Sequence, residues 1–73
     1  MSLPATAETI EILRREQLNE VAQNLACLAT MLMTGAFIAP VQTIRETASA
    51  ARSHMIEVIR LVKALEGEGG AHE

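Results

Sequence analysis

From Val41 to Leu65 apolar residues return at alternating intervals of three and four: Val41, Ile44, Ala48, Ala51, Met55, Val58, Val62 and Leu65. That rhythm keeps all of them in one line along an α-helix, the seam by which a helix lies lengthwise against another. A second seam, Leu18, Val21, Leu25, Leu28 and Leu32, runs through the first half of the chain. Upstream of it the register slips. Glu11 and Arg14 hold the continuing positions, while Ile10 and Leu13 carry the apolar side; a slip of this kind alters a supercoil without breaking the helix.

The pattern predicts an all-α fold: one helix over about 7–34, a connection at 35–40, a second helix over about 41–66, and a disordered tail at 67–73. Thr6 suits an N-cap, with Glu8 and Glu11 near the positive end of the helix dipole. Gly35 suits the left-handed residue that ends a helix. The second helix begins with Pro40 as its first residue or at Thr43, where Thr43-Ile44-Arg45-Glu46 matches a capping box. Gly67, Gly69 and Gly70 then loosen the chain.

Folded back at Gly35–Pro40, the two arms make an antiparallel two-helix hairpin. Leu28 comes to face Ala48, Leu25 Ala51, Val21 Met55, and Leu18 Val58, large against small near the turn. Ile10 and Leu13 cover Val62 and Leu65. Much apolar surface is left over. Ala22, Ala26, Ala29 and Met33 make a second stripe, and Ile56, Ile59 and Leu61 lie off the seam. A lone hairpin would hold more apolar surface in water than soluble monomers normally do. The expectation is a homodimer of hairpins, a four-helix bundle whose core Ile59 joins.

Composition sharpens that expectation. A chain of 73 residues is one domain at most, and a core of this size needs disulfides, metal or self-association. Cys27 is the single cysteine, and His54 and His72 are far apart, so neither an internal disulfide nor a zinc site is expected. Apolar residues make up 49% of the chain, yet Phe37 is the one aromatic; an aliphatic, alanine-rich chain favours helices. A net charge of −3 speaks against a general polyanion binder. Glu8, Glu11, Glu16 and Glu20 load the first half, and Arg45, Arg52, Arg60 and Lys63 the second, as fits two arms lying side by side.

Catalytic equipment is not in evidence. No phosphate-binding glycine loop, nucleophile elbow or dinucleotide fingerprint occurs, and two helices leave little room for a water-excluding cleft. An enzyme is therefore not expected, nor a cofactor. His54 and Glu57 stand one turn apart with Glu20 expected across from them, but di-iron bundles use the reverse order, twice. Cys27 reads as a small packed hydrophobe. Leu25–Val41 carries no charge, but it falls short of a membrane span and is interrupted by Gly35 and Pro40. No basic segment followed by an apolar stretch opens the chain, so a cytoplasmic protein is expected.

The recognition candidates cluster near the turn. Phe37 and Ile38 either fold back to plug the bundle end or form an apolar knob for a partner's pocket. Met31 and Met33 are core filler in the simpler reading and adaptable contacts in the other. Arg45 and Arg52, seven apart with Ser49 between them, could hold a carboxylate or phosphate; the simpler reading is a solvated flank pairing with the acidic first helix. Together these residues suggest a small non-enzymatic regulatory protein of bacterial or phage type. It would bind a larger protein through Phe37, Ile38, Met33, Arg45 and Arg52 and inhibit or modulate it. In layout such a dimer is similar to the Rop-type hairpin dimers that bind RNA. No motif residue matches, so no binding residues carry over; in that alternative Thr43, Arg45, Ser49 and Arg52 would meet phosphates of a nucleic acid. A structural subunit of a larger assembly is the third reading.

Overall fold

The computed structural model describes residues 6–70, with side chains over 6–67. Two helices, α1 (Ala7–Gly35) and α2 (Val41–Gly70), pack against each other as an antiparallel hairpin. At 1.5 Å per residue each arm is about 43–45 Å long. Thr6 caps α1 from an extended backbone (φ −92°, ψ 166°), its hydroxyl accepting from the Thr9 amide at 3.1 Å. One of the free N–H groups of the first turn, that of Thr9, is satisfied there, close to Glu8.

The elbow is built otherwise than the sequence suggests. Gly35 is the last residue of α1, Ala36 keeps right-handed helical angles (φ −55°, ψ −34°), and no described glycine has positive φ. The Gly35 carbonyl accepts from the amides of both Ile38 (3.1 Å) and Ala39 (2.8 Å), which tightens the chain into a turn. Glycine eases the close approach there: a Cβ at position 35 would stand 3.1 Å from the Cβ of Ala39, closer than ordinary van der Waals contact. Pro40 precedes α2, its carbonyl accepting the first helical bond from the Ile44 amide at 3.1 Å. The capping box at Thr43–Glu46 goes unused, and Glu46 instead accepts from the Gln42 side chain at 2.9 Å. The helical path of α2 continues past Gly67, where the tail was expected to begin; residues 71–73 lie outside the described residues.

In α1 the half-buried line is Glu11, Arg14, Leu18, Val21, Leu25, Leu28, Leu32 and Gly35. The seam of four leucines and one valine is therefore as expected, and it continues through Glu11 and Arg14 with no slip. Ile10 is half-buried, but Leu13 is exposed and covers nothing. Arg and Glu can take such positions near an open end because their aliphatic stems pack while the charged heads reach water.

The seam of α2 is rotated. Ile44, Ala51, Val58 and Leu65 pack inward as expected, but the alternate positions are Thr47, His54 and Leu61 rather than Ala48, Met55 and Val62. Leu61, 5% exposed, and Thr47 are the most buried side chains described. Ala50, Glu57 and Ala64 are half-buried on the same side. Polar residues sit at this seam at little cost because they are satisfied locally. The Thr47 hydroxyl donates to the Thr43 carbonyl at 2.9 Å, and His54 Nδ1 lies 2.9 Å from the Ala50 carbonyl. The expected pairings of Leu28 with Ala48 and Val21 with Met55 are thereby replaced. Ala48, Met55, Ile59 and Val62 all stand exposed, with Val41 at 72%.

Candidate interaction surface

An antiparallel pair of helices has two broad flanks, one on each side of the seam. On one flank a shallow groove is lined by Val21 and Asn24 of α1 and Ser53, His54 and Glu57 of α2. Its rim is polar. Arg60 donates from Nε and Nη2 to the two carboxylate oxygens of Glu57, and this raises the Arg60 pKa above its ordinary value. Cys27 is free and exposed rather than packed. The positions that follow the seam in the opposite sense are Ala22, Ala26, Ala29 and Met33 on α1, with Ile12 further down. On α2 they are Val41, Ala48, Met55, Ile59 and Val62. In an antiparallel pair these columns share one side, so they form an apolar stretch opposite the polar groove, interrupted by Glu8, Arg15 and Asn19 on α1 and by Arg45, Arg52 and Glu66 on α2.

All of these apolar side chains are exposed. Bundle helices normally bury three columns, the two seam columns and one beside them. Here Val41, Ala48, Met55 and Val62 are that third column, and the hairpin gives it nothing to lie against. The hairpin is also a single layer, 14 Å in its thinnest direction, whereas domains enclose a core between two layers.

The elbow carries the other candidates. Phe37 is 96% exposed and Ile38 86%, so they do not fold back to plug the hairpin. Met33, at 71%, and Met31 are exposed in the hairpin as well. With Val41 they surround the tip with aliphatic and aromatic surface. Arg45 and Arg52 are exposed on the apolar flank, and among the described residues neither forms an ion pair. Pairing of α2 cations with the acidic first helix is replaced in two places by pairs within one helix: Glu11 with Arg15 at 2.9 Å, and Glu57 with Arg60.

Sequence reasoning missed Leu61, Thr47, His54 and Ala50 as seam residues. The usable signal was that Leu61 completes a second three-and-four rhythm with Ile44, Ala51, Val58 and Leu65. Among the described residues no three His, Cys, Asp or Glu side chains gather as for a metal ion. No helix among them is long and apolar enough to cross a membrane. No protein-family model matches the chain, and searches of curated proteins and of solved structures return no match.

Proposed function

We propose that this chain is a small non-enzymatic regulatory protein that acts as a dimer of hairpins, a four-helix bundle, and binds a larger protein to inhibit or modulate it. The observation that carries this reading is the elbow. Phe37 and Ile38 stand almost wholly in water at the end of a rigid helical pair, which is costly for side chains with no partner and useful for side chains that enter a pocket. Met33 supplies adaptable surface beside them. Arg45 and Arg52, free of ion pairs among the described residues, add donors for a carboxylate at the edge of the contact.

The test is quantitative affinity capture with wild type, Phe37→Ala and Arg52→Glu as parallel baits. One protein should be retained in stoichiometric amount by wild type and lost with Phe37→Ala, with the helical circular-dichroism spectrum unchanged. Equal capture by all three baits, or capture of nothing above background, overturns the reading. The unpaired arginines also favour a second reading, phosphate contact with a nucleic acid. Retention of duplex or structured RNA at low salt, lost with Arg45→Glu and Arg52→Glu, would replace the first.

A further inference from the structure

Resting on the reading above that this chain binds a larger protein, we infer that the segment of that protein lying on the elbow half of the apolar flank is an amphipathic helix. Beside its apolar face that helix carries carboxylates seven residues apart, and they pair with Arg45 and Arg52.

Counted in heptads, Val41, Ala48 and Met55 take position a of α2, and Ile44, Ala51 and Val58 take position d. The d residues are half-buried in the hairpin, whereas the a residues are exposed. Arg45 and Arg52 then fall at position e, at the edge of that open column. Charges at e and g pair across to the neighbouring helix and so choose which helix it is. The hairpin supplies no such pair: both arginines are exposed, and neither forms an ion pair among the described residues. Position e recurs about every 10.5 Å along the axis, so the complement is a helix with carboxylates at the same interval.

The local charge has one sign. From Val21 to Met55, the stretch that folds into the elbow half, the charged residues are Arg45, Glu46 and Arg52. Glu46 lies a further turn of about 100° round α2, away from Val41 and Ala48, and accepts from the Gln42 side chain. Glu8, Arg15, Asn19 and Glu66, which interrupt the flank elsewhere, belong to its open half. The apolar surface near the elbow is thus edged by cations alone, although the whole chain carries −3.

Other occupants match less of this. A second copy offers no complement, because among the described residues no two carboxylate side chains stand seven apart. A nucleic acid offers the charge but no apolar face for Val41, Ala48 and Met55. Ile59 and Val62, in the open half, stay available to the dimer proposed above.

Two labelled helical peptides of about three heptads serve as probes. They share one leucine face and differ only beside it, with glutamate in one and lysine in the other. Fluorescence anisotropy should show wild type binding the glutamate peptide about tenfold more tightly, against the repulsion set by the overall charge. Arg45→Glu with Arg52→Glu should reverse the order, with the helical circular-dichroism spectrum unchanged. Equal affinity for the two peptides, preference for lysine, or no binding to either overturns the inference; a chain that sediments as a dimer and takes up neither peptide gives the flank to a second copy. Displacement of the glutamate peptide by an equal concentration of duplex RNA assigns the arginines to phosphate and overturns it as well. Ala48→Gln sets a polar group in the open column without changing charge and should weaken the glutamate peptide several-fold; unchanged affinity overturns the apolar contact. Phe37→Ala should leave the peptide preference as it is, so failure of the capture experiment and failure of the charge preference are read separately.

Discussion

The two flanks of the hairpin are both open to water in the single chain, yet they are written in different alphabets. One carries Asn24, Ser53, Glu57 and Arg60 beside Ile10, Cys27 and Ala50; the other carries Ala22, Ala26, Ala29, Met33, Ala48, Met55, Ile59 and Val62, with Arg15, Asn19, Arg45 and Arg52 among them. If exposure alone governed composition, the two would be alike. The hairpin alone leaves the more apolar of the two uncovered, so it satisfies only part of the pattern that its residue types set. The seam of α2 makes the same point from inside. Given two columns that could complete it, the fold uses Thr47, His54 and Leu61 and leaves the more apolar Ala48, Met55 and Val62 outward. A better hydrophobic surface is left facing water than one of those packed away, as the proposed dimer of hairpins would require.

The sharpest way to break the comparison is to place the same kind of change on each flank. Ile59→Glu should abolish the dimer and lower thermal stability by many degrees, since it removes about 1.5–3 kcal/mol of burial and sets a charge in the interface. Ser53→Lys, a similar intrusion opposite Asn24 and one turn before Glu57, should leave mass and melting temperature nearly unchanged. Sedimentation equilibrium and thermal circular dichroism on both variants decide the matter; equal effects would erase the distinction between flanks. Next in size is the seam that both flanks share. Leu61→Ala should cost about 2–5 kcal/mol, as for other nearly buried leucines, measured as a shift in the urea midpoint. A cost under about 0.5 kcal/mol would mean that the rotated seam is not the packed one. The smallest effect belongs to the polar flank. Glu57→Gln removes a solvent-exposed ion pair with Arg60 and should leave the melting temperature nearly unchanged, with any difference shrinking as salt is raised.

Much of this molecule was readable from its sequence, and the unreadable part has a physical cause. The seam of α1 stood out because Leu18, Val21, Leu25, Leu28 and Leu32 have no rival column of comparable apolarity. The turn stood out because Gly35 and Pro40 bound it. The rotation of α2 did not. Ile44, Ala51, Val58 and Leu65 belong to both possible seams, and hydropathy then prefers Ala48, Met55 and Val62. What decides against hydropathy is local hydrogen bonding: Thr47 and His54 engage carbonyls four residues back, which removes the penalty for polar groups at a seam. The candidate site was half legible. Phe37 and Ile38 were conspicuous as apolar residues in a turn, but plug and knob differ only in the path of the turn. That path is set by two amides converging on the Gly35 carbonyl, a detail of geometry with no counterpart in composition.

The convergence on Gly35 also separates the tip from the remainder of the fold. Both bonds are made by main chain, so the side chains at 36–38 help neither to close the elbow nor to fill the seam. Foreign tripeptides without proline could be grafted there while the helical framework stays as it is. On the proposed reading of the tip as a binding knob, the molecule is a helical handle with an interchangeable head, and new specificities could be raised on it by randomising those positions alone.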